Sequence, residues 1–298
     1  MQQKQLVSDL ALISGAFVWG VIWYPYRVLE HSGLGGASAS FLTYFLALLP
    51  GLYLFRRRLH VFARAPLLLL SIALAAGWCN VSYVLAMLRG EVMQVMLLFY
   101  LAPLWTMVFS RVLLKEHLGP IGYLVVALSL TGAMVMLWRP GAGFPLPSTT
   151  GQWLGLSSGM AFALSNVLSR MAREIDVGVR SVCVWFGVSL AALPLMLTLE
   201  QPGQAVAALG ADGWSMVVAL GAVLFAVNVA VQHGLANTPA NRAIVIFLTE
   251  LVFAAAAASM LTTESTDWQQ WTGGAMIVAA TLFSGRALAP PVRSAASA

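Results

Sequence analysis

At 298 residues the chain is long enough for two average soluble domains, yet 60% of it is hydrophobic and only 9% is charged, against about 25% charged in an ordinary globular protein. So few charges cannot cover a water-facing surface, and lipid has to be the solvent. The net charge of +5 comes from basic residues scattered between apolar runs, which excludes a nucleic-acid binder with its basic stripe. Two cysteines, Cys79 and Cys183, both inside apolar runs, exclude a disulfide scaffold.

A helix needs about 20 mainly apolar residues to cross roughly 30 Å of hydrocarbon. Ten runs meet that length in chain order: 8–29, 36–55, 65–87, 92–113, 119–138, 152–172, 180–199, 213–235, 242–262 and 268–288. The runs are continuously apolar rather than alternating, which excludes an outer-membrane barrel. The first lacks an A-x-A cleavage site and is expected to stay as a helix. The Pro/Gly/Ser-rich stretch from Arg139 to Gly151 reads as a linker. The expected organisation is therefore a first unit over 1–140, a loop over 141–151, a second unit over 152–288 and a disordered tail over 289–298.

The basic residues set an expected orientation. With a cytoplasmic N-terminus, the inward segments hold Lys4; Arg56, Arg57, Arg58 and Arg64; Arg111 and Lys115; Arg170, Arg173 and Arg180; Arg242; and Arg286 and Arg293. The outward segments hold only Arg27, Arg89 and Arg139. This bias predicts a multi-pass protein of the inner membrane with both termini cytoplasmic.

The chain also matches itself weakly. At an offset of 147, Tyr100-Leu-Ala-Pro-Leu104 falls on Phe247-Leu-Thr-Glu-Leu251, and Leu114-Lys-Glu-His falls on Leu261-Thr-Thr-Glu. Thr131-Gly-Ala-Met-Val has a relative in Gly273-Gly-Ala-Met-Ile, Asn80 lands beside Asn228, and Ser14-Gly15 resembles Ser158-Gly159. Each half then holds five helices, and an odd number places the second half upside down relative to the first. The fold class expected is an all-α integral membrane protein of ten transmembrane helices in two inverted five-helix repeats. Many secondary transporters share that layout, with a site near the midplane between repeats.

A helix carrying Ala102-Pro103-Leu104, with Glu116 thirteen residues after the proline, then Thr131-Gly132 in the next span and Trp19-Gly20 in the first, resembles the EamA family of the drug/metabolite transporter superfamily. The resemblance implies a ten-helix, exporter-like carrier of amino acids, related metabolites or toxic organic compounds. The chain departs from the pattern at Glu250, which takes the place of the proline in the second half.

Glu250 is the one acidic residue deep inside a run. An ionisable group at the bilayer centre costs about 2.5–3.5 kcal/mol even on the milder scales and faces the bundle interior. It is a candidate proton site or counter-charge for a substrate ammonium; the structural alternative is a hydrogen-bonded carboxyl or an ion pair with Arg89 or Arg242. Asn80, Asn166 and Asn228, with Gln94 near a span end, are candidates for substrate contact or for joining helices. Trp19, Trp78, Tyr83 and Tyr100 are candidate cavity aromatics, whereas Trp138, Trp153, Trp214, Trp268 and Trp271 lie at run ends as an interfacial belt would. Pro25, Pro103 and Pro194 lie within runs, and Pro103 is the candidate hinge.

Gly155-Leu-Ser-Ser-Gly159 fits the G-x-S-x-G of hydrolases, but that motif needs a strand-to-helix turn. Gly151, Gly155 and Gly159 instead form one small-residue stripe for close helix packing. There is no Walker A, H-E-x-x-H or C-x-x-C pattern, so no metal or cofactor is expected. The expected function is an exporting secondary transporter of a small, amino-acid-like metabolite or an amphipathic toxic compound, with small solute, lipid and protons as partners. Proton coupling through Glu250 and uncoupled facilitated diffusion are its two mechanisms. A membrane enzyme or a non-transporting scaffold stands as the alternative from another class.

Overall fold

The structure, a computed structural model, describes residues 2–115, 119–138, 146–172, 174–200, 203, 206–207, 209–237, 246–247, 249–262 and 267–287. Among these residues the secondary structure is entirely helical. In chain order the helices are α1 (Gln2–Val21), α2 (Trp23–His31), α3 (Gly36–Phe55), α4 (Pro66–Arg89), α5 (Val92–Phe99), α6 (Ala102–Leu113), α7 (Pro120–Leu137), α8 (Thr150–Met171), α9 (Val177–Leu199), α10 (Ala211–Asn237), α11 (Thr249–Leu261) and α12 (Trp268–Ala287). A tighter 3-10 segment, Arg56–Arg64, follows α3 and leaves its arginines exposed.

Local sequence explains several of the ends. Pro66 and Pro120 open α4 and α7, where a missing N–H costs nothing. Thr149 and Gln152 form a capping box on α8, and the Asp176 carboxylate accepts from the Gly178 amide at the start of α9. At the end of α2, Gly33 adopts φ +91, while its amide donates to the Glu30 carbonyl and Leu34 donates to Leu29. That pairing is a Schellman ending, which needs a left-handed residue.

Among the described residues, seven segments are long and apolar enough to cross a membrane: Gln5–His31, Gly36–Arg64, Pro66–Arg89, Val92–Leu113, Pro120–Leu137, Val177–Leu199 and Ala211–Val231. The apolar α11 is shorter. Two expected spans depart from a single straight helix. The first breaks at Ile22, three residues before Pro25, and the fourth breaks at Tyr100–Leu101, just before Pro103. In contrast α9 runs unbroken through Pro194, and α3 through Pro50. Residues 242–245 of the expected ninth span, Glu116, Arg139, Arg173, Arg242 and the 289–298 tail lie outside the described residues.

The exterior carries large apolar side chains such as Leu67, Val252 and Met260, and also Trp138, Trp153, Trp214, Trp268 and Trp271, all exposed. In a membrane these face lipid, which leaves interior packing to shape and small residues rather than to hydrophobic exclusion. Glycines mark the tightest crossings. A Cβ on Gly187 of α9 would lie 1.9 Å from the Ala73 carbonyl oxygen of α4, and one on Gly159 of α8 would lie 2.4 Å from the Phe99 carbonyl oxygen. Gly151, Gly155 and Gly159 all pack in this way, against Gly90, Val95 and Phe99, so the stripe read from sequence is a packing seam. Ser157 spends its hydroxyl on the Leu154 carbonyl of its own helix.

Most extensive contacts join a helix before residue 139 to one after residue 149. α4 packs on α8 and α9, α3 on α9 and α10, α1 on α10 and α11, α5 and α6 on α8, and α7 on α12. The two parts of the chain interleave and share one interior.

Candidate functional site

The site is built where the break between α5 and α6 meets the first turn of α11. Pro103 has no N–H to offer the Phe99 carbonyl, and its ring favours the first turn of a helix. α5 accordingly closes with Tyr100 donating to Met96 at 2.9 Å and Leu101 to Leu98 at 3.2 Å. The chain restarts as α6 at Ala102. In the second half α11 starts at Thr249, with Glu250 in its first turn. At the offset of 147, Ala102 corresponds to Thr249 and Pro103 to Glu250. The matched positions therefore carry a proline in one half and a carboxyl group in the other.

The two matched stretches meet. The Tyr100 hydroxyl lies 3.0 Å from the Phe247 carbonyl oxygen and 3.1 Å from Glu250 Oε2. Tyr100 and Phe247 correspond to each other at the same offset, so matched residues from the two halves touch. Glu250 and Tyr100 are both buried. α1 reaches them through Gly20, where a Cβ would stand 2.8 Å from the Glu250 carbonyl oxygen. Among the described residues no basic side chain pairs with Glu250; the ion pair they show is Arg58 with Asp176.

Aromatic rings surround this centre. Trp19 packs on Phe247 with centroids 5.8 Å apart. Phe99 contacts Tyr83 at 5.3 Å, Tyr100 at 5.9 Å and Phe162 at 5.2 Å. The Tyr83 hydroxyl donates to Met96 Sδ at 2.9 Å, with the Trp19 carbonyl at 3.5 Å. Trp19 and Tyr83 are half-buried. The structure thus brings together Glu250, Tyr100, Trp19 and Tyr83, with Pro103 at the helix break beside them.

The remaining candidates differ in burial and partners. Asn80 is half-buried, accepts the Tyr44 hydroxyl at 2.6 Å and donates to the Ala76 carbonyl at 2.8 Å. It ties α4 to α3, and it lies one turn from Tyr83 on the same helix face. Asn228 is half-buried on α10, while Asn166 is exposed on α8 one turn beyond Phe162. Trp78 is 41% exposed and, two residues from Asn80, points to the other side of α4. Gln94 is buried in α5. Sequence reading missed Phe247, Phe99 and Gly20. Phe247 carried a usable signal, its match to Tyr100; the other two look like ordinary packing residues until their neighbours are known.

The chemistry of the centre follows from hydrogen-bonding capacity. A phenol has one hydrogen, and here it has two acceptors within reach. With Glu250 ionised, that hydrogen belongs on the carboxylate. With Glu250 protonated, the acid supplies its own hydrogen to the Tyr100 oxygen, and Tyr100 turns to the Phe247 carbonyl. A Glu250–Tyr100 hydrogen bond exists in both protonation states, and the Phe247 carbonyl receives the phenol hydrogen only when the acid is protonated.

Known proteins share this architecture. The profile of the EamA-like transporter family matches twice, over residues 6–138 and 149–286. A protein of Archaeoglobus fulgidus named only as an uncharacterized transporter is 30% identical over 281 residues, covering 94% of this chain and 96% of that protein. Another uncharacterized transporter, from Pseudomonas aeruginosa, is 28% identical over 164 residues, 54% of this chain and 52% of its own length. A solved crystal structure shares the fold with a TM-score of 0.57 and 18% identity, covering 93% of this chain and 95% of its own. With both parts of the chain matched by one profile, the protein belongs to the EamA-like transporter family.

Proposed function

We propose that this membrane transporter is an alternating-access exporter of the inner membrane. Its solute is a small, amino-acid-like metabolite or amphipathic toxic compound bearing an amine, and it binds beside Glu250 where the two halves meet. The observation that carries this reading is the buried Glu250–Tyr100–Phe247 contact, a carboxyl group with aromatic walls and no basic partner among the described residues. An ammonium group would find there a counter-charge and ring faces at once. A proton and an ammonium would compete for the same oxygens, which couples one to the other.

The same reading takes the chain as ten transmembrane segments in two inverted halves, with both termini cytoplasmic. Two features support it. The family profile matches each half separately, and exchanging the halves maps the packing pairs onto one another: α4 with α8 becomes α10 with α1, and α4 with α9 becomes α10 with α3. Rocking one helix bundle against another, each drawing helices from both halves, would expose the centre to each face in turn.

Counterflow in proteoliposomes tests the proposal, with a panel of amino acids and organic amines measured with and without a proton gradient. The wild-type protein is expected to move at least one member in a gradient-dependent way, and Glu250→Gln is expected to abolish that dependence. Flux that is indifferent to both the gradient and the substitution would establish uncoupled facilitated diffusion instead. No flux of any panel member would sink the assigned solute class.

A further inference from the structure

α3 and α9 run antiparallel against each other along their whole length. Near one end, Gly51 is spanned by the ring of Trp185 and Gly178 by the ring of Phe55; at the other, the chain leaving α9 reaches the start of α3. There the Glu200 carboxylate accepts three hydrogen bonds from α3: from the Ala37 amide at 2.9 Å, the Ser38 amide at 2.8 Å and the Ser38 hydroxyl at 2.6 Å. α3 has no cap of its own, because its N-cap residue is Gly35. A side chain at Gly35 would also take the carboxylate's place, since a Cβ there would stand 2.2 Å from Glu200 Cδ. The first-turn amides of α3, which every helix must satisfy from outside itself, are met by the opposite half of the protein. The helix dipole adds to the attraction.

About 30 Å away, at the far end of the 20-residue α3, the corresponding contact is weaker. Asp176 caps its own helix, α9, and pairs with Arg58 beyond α3. Both side chains are substantially exposed, 60% and 36%, and exposed ion pairs contribute little.

We infer that Glu200 is a latch that ties α3 to α9 at one membrane face. The inference rests on the reading that helices of the two halves move against each other. Parting α3 from α9 at the Glu200 face strips α3 of its cap and the carboxylate of three donors, whereas the Arg58–Asp176 end is held by a solvated ion pair and by the Phe55–Gly178 and Trp185–Gly51 packing, none of which involves Glu200.

Cysteine labelling tests this without a known substrate. In a background lacking Cys79 and Cys183, single cysteines replace the buried Ser40 of α3 near Glu200 and the buried Ser181 of α9 near Arg58. Each is exposed to a membrane-impermeant maleimide from its own side of a proteoliposome. Glu200→Ala is expected to raise the labelling rate at Ser40→Cys about tenfold, the scale of one lost charge-assisted cap, and to leave Ser181→Cys unchanged. Glu200→Gln, which keeps the shape of the side chain and one acceptor, is expected to give a smaller rise at the same position. Unchanged labelling at Ser40→Cys in both variants, or an equal rise at both reporters, overturns the inference. Labelling does not depend on flux, so a failed transport assay and a failed latch are separate results.

Discussion

At the scale of single residues, Tyr100 and Glu250 share one hydroxyl hydrogen between the halves. Tyr100→Phe keeps the ring, and with it the contact to Phe99, but removes that hydrogen. A hydrogen bond to a charged group contributes about 1.5–3 kcal/mol, so turnover in counterflow is expected to fall about tenfold or more while the melting temperature in detergent stays near that of the wild type. A large fall in melting temperature with turnover unchanged would make Tyr100 a packing residue only. Glycine positions separate in the opposite way. Gly187→Val forces side-chain atoms against the Ala73 carbonyl and is expected to cost about 1–3 kcal/mol of stability or more. Gly119 has open space around it but is the N-cap of α7, so alanine there is expected to cost only about 0.5–1 kcal/mol in the same thermal assay, the loss of a better cap.

At the scale of elements, interrupted helices do the positioning. Pro103 separates α5 from α6 and leaves the Phe99 carbonyl without its helical donor. Gly159 of α8 sits directly against that carbonyl. Pro103→Ala restores the donor and is expected to join the two helices. Amide hydrogen exchange over residues 101–105 should slow in the variant, and counterflow should fall with it; exchange unchanged from wild type would mean that packing, not proline, makes the break. Much of this was legible in the sequence. Pro103 and Glu250 stood out as a proline and a carboxyl at matched places in apolar runs, and the Gly151–Gly155–Gly159 stripe announced a close crossing by its spacing. Which helix crossed there was not legible, because periodicity shows that a face is packed without naming its partner. Pro194 shows the limit from the other direction. It sits in an apolar run as Pro103 does, yet α9 continues through it, because the consequence of a missing amide depends on what neighbouring segments supply to the freed carbonyl.

At the scale of the whole molecule, the halves fold into each other rather than side by side. α4 lies between α8 and α9, and α1 between α10 and α11. Neither half can bury its interior face alone. A chain cut between Trp138 and Leu146 is therefore expected to yield two fragments that are degraded when expressed singly and co-purify as one complex when expressed together. Stable, monodisperse fragments on their own would contradict the interleaved packing.

Composition by itself determined that this protein lives in lipid, since 9% charge cannot solvate its surface. Apolar run lengths carried the helical class, and short motifs such as Ala102-Pro103-Leu104 together with self-similarity carried the family resemblance, because all are properties of the chain read along its length. Only the tertiary structure decided that Tyr100 meets its own counterpart Phe247 beside Glu250, that Asn80 is tied to Tyr44 and that Glu200 caps α3 from the opposite half. Each of those contacts joins residues 36 to 163 positions apart. Nothing local specifies them: in lipid, partners are chosen by shape and by the need to pair every polar group, and both are settled only when the helices have packed.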